Sequence, residues 1–367
     1  MKKKFFIALT TFTIASMMCS CQTSTSQNSV IPVSQSNIEI SKVSNDISEK
    51  NIETKIDDIL DGNLTGFVFV VKDGESVYSK GFNKGDDHQQ FSSDTVFRIG
   101  SDTKQFTAAG IMLLQEQGKL SVNDTLDKYF PEYSHGKEIT LHNLLSMHSG
   151  LTDYSDYFPQ LNLTVDNEAQ NKANILQFIL DADLISKPNE IFQYNNSNYF
   201  LLAEIIERVS GMTYEEYLTE NIFKPLDMKS TGIYKNYEKD GAVIAKPLYP
   251  TGAEDDFNKP GATFGAGDIM SNADDLAKWL KAFEGGSILS DESIKAVSTS
   301  YSTENDSYEY GYGWFISNNG IYHGGNISEY SAMLFTSPEE KYSIIILSNE
   351  ISGNLANLST AIRYELF

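Results

Sequence analysis

A serine and a lysine three positions apart, Ser101-Asp102-Thr103-Lys104, open a stretch patterned as a helix over about 101–117. Residues three apart on a helix share a face, so the Lys104 amine can sit beside the Ser101 hydroxyl. A serine hydroxyl is a poor nucleophile until a base takes its proton. A lysine can assist if it is held neutral or hydrogen-bonded in a partly desolvated site. The helix N-terminus adds backbone N–H groups and a positive dipole end, which help an oxyanion. The same spacing recurs at Ser134-His135-Gly136-Lys137, but in what reads as a loop. Ser101 differs in its strand-loop-helix lead-in, Phe97-Arg98-Ile99-Gly100, where Gly100 permits a tight turn.

Two further clusters could complete such a site. Tyr194-Asn195-Asn196 precedes another helix. A tyrosine hydroxyl near Ser101 and Lys104 could shuttle the proton, as phenolate or through the lysine. The Asn196 amide can both donate to and accept from a substrate amide. Taken alone, Asn195, Asn196 and Ser197 are simply good helix-capping residues. His323-Gly324-Gly325-Asn326 follows a strand, and its two glycines let a ligand backbone approach closely. The Asn326 N–H could pair with that of Ser101 as an oxyanion hole, with His323 facing the cleft. In isolation this is a glycine turn.

The apolar pattern gives the elements that must gather these clusters. Ile52, Ile56, Ile59 and Leu60 mark one helical face. Residues 66–71 read as a strand, Lys72-Asp73-Gly74 as a turn and 76–82 as the returning strand. Residues from roughly 120 to 285 read as mostly helical and irregular. Amphipathic helices stand out there at 199–209, stopped by Gly211, and at 273–283. Strands follow at 311–317, 320–323, 330–336 and 342–348, then a closing helix over about 353–366. The expected fold is α+β. One antiparallel sheet is built from N- and C-terminal strands and flanked by helices, beside an all-helical subdomain, with the chemistry in the cleft between lobes.

The chain has 367 residues, 40% of them hydrophobic, and a net charge of −22. That is enough apolar material for a large core, and an acidic surface argues against nucleic acid as a partner. Lys2, Lys3 and Lys4 precede an apolar run over 5–18 that is too short for a comfortable transmembrane helix and exits into polar residues. This is the layout of a secretory signal over 1–20. Both cysteines, Cys19 and Cys21, lie at its end, so the rest of the chain has no internal disulfide, thiol nucleophile or cysteine metal site. Met18-Cys19-Ser20-Cys21 resembles a bacterial lipobox, which implies a lipid anchor on Cys21 and an extracytoplasmic, membrane-attached protein. Plain cleavage and release is the alternative. Residues 21–51, rich in Ser, Thr, Asn and Gln, read as a flexible polar tether, and 52–367 as the folded domain. No metal and no cofactor are expected. His142 and His148, six apart, lack the i, i+4 spacing of a helical zinc pair and read as structural. Arg98 reads as a structural ion-pair partner.

Together and in this order, the three clusters resemble the S-x-x-K, Y-x-N and K/H-x-G elements of the serine β-lactamase and penicillin-binding protein superfamily. FRIGSDTKQFTA (97–108), ITLHNLLSMHSGL (139–151), YNNSNYFLLAEIIERVSG (194–211) and SNADDLAKW (271–279) are similar to family segments. The likeness covers about 52–367. It fits the class C β-lactamase and DD-peptidase branch better than class A. It implies Ser101 as acyl-enzyme nucleophile, Lys104 with Tyr194 as the base system, and Asn196 as a substrate-amide ligand. It also implies an oxyanion hole from the Ser101 and Asn326 N–H groups. His323 stands where most class C enzymes have lysine, and Gly324 lacks the hydroxyl of the usual threonine. Both weaken binding of a substrate carboxylate and argue against strong β-lactamase activity. Asp268 interrupts what is usually a Gly-Gly turn. Glu329 replaces a frequent glycine; it reads as a solvated surface charge, or else as a group at the cleft mouth favouring an ammonium-bearing substrate. The expected substrates are peptidoglycan-type D-alanyl peptides, or D-alanyl and other small acyl esters, with β-lactams as acylating ligands. A class C-like β-lactamase and a non-catalytic penicillin-recognising module stay open as alternatives.

Overall fold

The computed structural model describes residues 52–84, 88–252, 255–304 and 306–366; the expected signal, Cys21 and the expected tether lie outside them. No helix among the described residues is long and apolar enough to cross a membrane. Helix α1 (Ile52–Leu60) buries Ile56 and Leu60. Strands β1 (Gly66–Lys72) and β2 (Glu75–Phe82) form a hairpin through Asp73 and Gly74, both at positive φ as a tight hairpin turn requires. After the short β3 (Phe97–Arg98) and a 3-10 turn over Gly100–Asp102 comes α2 (Thr103–Glu116).

The middle of the chain supplies α3 (Leu141–Leu145), α4 (Glu168–Asp181), α5 (Asn196–Ser210) and α6 (Tyr214–Leu218), the expected helical part. Gly211 ends α5 in the left-handed conformation, at φ 72°. Two short strands, β4 (Gly232–Ile233) and β5 (Ile269–Ser271), join β3 in a small sheet of order β3-β5-β4. Strands this short show no readable period, which is why the sequence pattern did not reveal them. Then come α7 (Ala273–Gly285), α8 (Asp291–Val297), β6 (Phe315–Ser317), β7 (Gly320–Ile327), β8 (Tyr330–Ser337), β9 (Tyr342–Ser348) and α9 (Leu355–Leu366).

The main sheet has the order β2-β1-β9-β8-β7-β6 with every pairing antiparallel, so both ends of the folded domain meet at β1–β9. β8 and β9 are buried along their whole length, as strands covered on both faces must be. On one face α1 and α9 close over Val68, Val70, Ile344 and Ile346. On the other, the larger core joins the sheet to α2 and the helical part.

Two C-terminal strands differ from expectation in a way that matters for the site. β6 begins only at Phe315, because Gly313 turns left-handed (φ 78°) against α2, where a Cβ would stand 2.7 Å from the Lys104 carbonyl oxygen. β7 runs on to Ile327, so His323-Gly324-Gly325-Asn326 lies inside a strand and is not a glycine turn. The second glycine is needed by the protein itself: a Cβ on Gly325 would fall 1.9 Å from the Ile99 carbonyl oxygen and 3.0 Å from the Ser101 nitrogen. Gly324 has only ordinary contacts, the nearest at 3.6 Å.

The adjacent glycines therefore predict opposite outcomes. Gly325→Ala should lose about 3 kcal/mol or fail to fold, as overpacking against rigid backbone does. Gly324→Ala should melt within a degree or two of the parent. Equal melting temperatures for the two variants would refute this account of the strand.

Candidate active site

Lys104 is completely buried in the first turn of α2. Its Nζ lies 3.2 Å from Ser101 Oγ, 2.9 Å from Asn196 Oδ1 and 2.8 Å from the Ala266 carbonyl oxygen. Amide and carbonyl oxygens only accept hydrogen bonds, whereas a hydroxyl can also donate. A neutral amine has two N–H donors and one lone pair. With both donors spent on Asn196 and Ala266, the lone pair is left to face the Ser101 O–H. Burial is the main force on the amine and brings its pKa down to about 7, against the smaller opposing pull of Asp153, Asp102 and Asp268. Ser101 itself sits on the 3-10 turn and is partly exposed, so its hydroxyl is reachable from solvent and the Lys104 amine is not.

Tyr194 stands beside this pair, with Lys104 Nζ 4.8 Å from its ring centroid. Its hydroxyl oxygen is buried and makes no hydrogen bond. Burial pushes its pKa well above the ordinary tyrosine value; the nearby Ser101 hydroxyl pulls the other way, though short of hydrogen-bonding geometry. The group is therefore a neutral phenol, which disfavours the phenolate route. Asn195 caps α5 by accepting from the Ser197 N–H, which leaves Asn196 as the first helical residue, turned toward Lys104. The Asn196 amide is occupied at both ends. Its Oδ1 takes Lys104, and its Nδ2 lies 3.2 Å from both Asp153 Oδ2 and Ser155 Oγ.

β7 forms the opposite wall. Its hairpin closes on the pair Ile327–Tyr330 across a two-residue loop. In an antiparallel ladder hydrogen-bonded pairs alternate, so the next pair inward leaves the Asn326 N–H turned away from β8. It points toward the Gly100–Ser101 turn, where a Cβ on Gly100 would sit 3.0 Å from the Asn326 nitrogen. The Ser101 and Asn326 amides thus lie side by side at the strand edge.

His323 does not lie open to the cleft. It is fully buried, packed among the rings of Tyr194, Tyr310 and Phe315. Its Nδ1 is 2.8 Å from the Gly324 carbonyl oxygen, an obligate acceptor, so Nδ1 bears the hydrogen and Nε2 accepts from Tyr310, 3.3 Å away. Burial, reinforced by Lys104, brings its pKa down to about 3. The ring is neutral at any physiological pH and offers no charge to a substrate.

Other residues singled out in the sequence fall into place nearby. Arg98 is structural, but an amide and a ring hold it. Its guanidinium donates to Asn258 Oδ1 at 2.5 Å and lies 3.8 Å over the Tyr234 ring. Glu329 is not a solvated charge and does not stand free at the cleft mouth. It is 7% exposed, and its Oε1 accepts from the Thr251 N–H and hydroxyl, pinning that loop. Asp268 is buried, accepts weakly from the Gly265 N–H at 3.3 Å, and has its pKa raised by burial to about 7. His142 hydrogen-bonds Tyr312 and His148 meets Asp306, both as structural contacts. The decoy pair Ser134 and Lys137 lies exposed in a turn. The sequence pattern missed Asp153, whose readable signal was the turn-capping pair Asp153 and Ser155. It also missed the Ala266 carbonyl, which side-chain types cannot reveal.

Because folded His323 stays neutral while the unfolded residue takes a proton below its ordinary 6.5, it makes the protein less stable as pH falls from 6.5 toward 3. The glutamine of His323→Gln can keep both hydrogen bonds without titrating. Between pH 7 and 5 the parent should lose about 2 kcal/mol relative to that variant in urea melts, and parallel curves would refute the buried neutral ring.

The family model described as Beta-lactamase matches residues 52–364. PbpX of Bacillus subtilis (strain 168), a protein named for penicillin binding, is 30% identical over 339 residues, covering 86% of this chain and 80% of its own. Protein flp of Staphylococcus aureus (strain MW2) is 29% identical over 334 residues, covering 84% of this chain; the match spans only 64% of flp. Among solved structures, the octameric penicillin-binding protein homologue from Pyrococcus abyssi superposes with a TM-score of 0.67 at 30% identity, covering 81% of this chain and 71% of that one. The fold is thus that of the serine β-lactamase and penicillin-binding protein superfamily, and the chain belongs to its Beta-lactamase family.

Proposed function

We propose that this chain is a cell-envelope serine hydrolase working through an acyl-enzyme on Ser101. The observation that carries the reading is the set of partners around Lys104. Two obligate acceptors take its N–H groups and leave the lone pair for the Ser101 proton. Ser101 Oγ attacks the acyl carbonyl as its proton passes to Lys104. The negative charge that develops on the carbonyl oxygen is met by the Ser101 and Asn326 N–H groups, at the positive end of α2. The neutral Tyr194 hydroxyl, beside Lys104 and with no partner of its own, relays the proton to the leaving group. Water then repeats the sequence in reverse on the ester.

The wall opposite Ser101 bears on substrate choice. A neutral buried His323 and a bare Gly324 supply neither the charge nor the hydroxyl that would hold a carboxylate. This favours D-alanyl and other small esters over D-alanyl-D-alanine peptides, and both over β-lactams. The envelope setting rests on the lysine-capped apolar segment at the start of the sequence and on the penicillin-binding name of PbpX.

Kinetics on a chromogenic ester test this. Ser101→Ala, Lys104→Ala and the double variant should fall to one common floor, several orders of magnitude down, because groups acting as a unit do not add. Tyr194→Phe should lose about 10²–10⁴-fold. Ser134→Ala should match the parent, and full activity in folded Ser101→Ala would end the proposal.

Since Lys104 must be neutral to accept the proton, kcat/KM should rise with pH through about 7. A flat profile from pH 5 to 8 would argue against the lysine as base. Fast turnover of nitrocefin with inert esters would reverse the substrate assignment.

A further inference from the structure

We infer that Asp153 is a positioning residue for the serine–lysine pair, acting through Asn196 to fix which end of that amide meets Lys104. Its effect on rate rests on the hydrolase reading above; its effect on Lys104 itself does not.

Asp153 caps the 3-10 turn over Tyr154–Gln160, where its Oδ1 accepts from the Ser155 N–H and hydroxyl, both at 2.9 Å. Its Oδ2 accepts from the Asn196 backbone N–H at 2.9 Å and from Asn196 Nδ2 at 3.2 Å. Although the residue keeps some exposed surface, its carboxyl is enclosed enough for burial to raise its pKa, against the pull of these donors. All its contacts are to donors, and an ionised carboxylate can only accept.

An asparagine amide is nearly symmetric in shape and can turn over at little steric cost. Here the flipped amide would set Oδ1 against the carboxylate, a repulsive contact, and would turn its NH2 to the lysine, where it repels the ammonium or takes the lone pair that faces Ser101. The carboxylate therefore selects one orientation, with Oδ1 toward Lys104 Nζ. That choice keeps the amine's N–H groups on Asn196 and Ala266 and its lone pair on Ser101. A hydrophobic residue at 153 would fill the space and leave the amide undecided.

Other ionisable groups also face Lys104. They are Asp102 from the turn before α2, Asp268 from the turn that contains Ala266, His323 from β7, Tyr194 from just before α5 and Tyr199 from its first turn. Asp102 spends one oxygen on Gln105 and Asp268 one on Gly265, and the other oxygen of each is buried without a partner. Asp153 alone of the three carboxylates reaches the amine through a hydrogen-bonded chain. It acts as orienter and, at longer range, as a charge favouring protonated Lys104.

The test combines Asp153→Asn, Asn196→Ala and their double variant. Lys104 is followed by 13C NMR of lysine-labelled protein without substrate, alongside kcat and KM on an ester across pH. In Asp153→Asn the Lys104 midpoint should fall by about 0.5–1 pH unit, the sign expected for removing a nearby negative charge. The acidic limb of kcat/KM should move down with it. The kcat should drop by about 10–100-fold, with KM changed far less, as for lost orientation of a reacting group. With Asn196→Ala already present, Asp153→Asn should reduce kcat less than about threefold further, because the intermediary is gone.

An unchanged Lys104 midpoint in folded Asp153→Asn, or fully additive losses in the double variant, would overturn the proposal. A merely structural role would lower the melting temperature and leave the limb where it is. If Asp153→Asn fails to fold, Asp153→Ser keeps the cap without the charge and must lower the midpoint in the same way. If the parent cleaves no ester at all, the hydrolase reading fails, while the NMR titration still decides the role of Asp153.

Discussion

An ammonium group taken out of water loses several kcal/mol of hydration unless fixed acceptors replace it. Lys104 is in that position, fully enclosed within α2, and much of the fold can be understood as its enclosure. The start of α5 brings an amide oxygen, and the turn after the helical part brings a carbonyl. Gly313 bends left-handed to let the chain lie on the Lys104 carbonyl, and Gly325 gives up its Cβ so that β7 can close against the Ser101 turn. Each contribution comes from a different stretch of chain. The amine is poised only when all of them are in place.

This explains which parts were legible in the sequence. Ser101 with Lys104 could be read from local spacing, because a helix fixes residues three apart whatever surrounds it. The hairpin at Asp73-Gly74, the helix ending at Gly211 and the buried strand 342–348 were readable for the same reason: their determinants are short-range. Long-range facts were not. That the glycine pair stands in a strand depends on β8 pairing with it, and that Glu329 holds Thr251 depends on a loop far away in sequence. Asp153 looks like any loop aspartate until the fold sets Asn196 on it.

His323 illustrates how one substitution changes an electrostatic plan. A lysine in its place would bring a second charge beside Lys104. A buried imidazole, with its hydrogen assigned by the Gly324 carbonyl and its lone pair by Tyr310, is electrically quiet. Lys104 is then left as the basic group hydrogen-bonded to Ser101, and the surrounding carboxyls set its balance. The phenol of Tyr194 also lacks a second cation to stabilise its ionised form, which is consistent with its raised pKa.

The strand order has a consequence for how the chain comes to be folded. β1 lies between β2 and β9, so the first strand cannot acquire its inner neighbour until residues 342–348 have been made. Until then the β1–β2 hairpin has one bare edge, and α1 has no α9 to pack against. Contacts of such long sequence separation make folding slow and leave an extended waiting period during synthesis. The domain therefore cannot lock into its final shape while its last strand is still emerging from the ribosome, and the inner edge of β1 stays open to other strands until synthesis is nearly done.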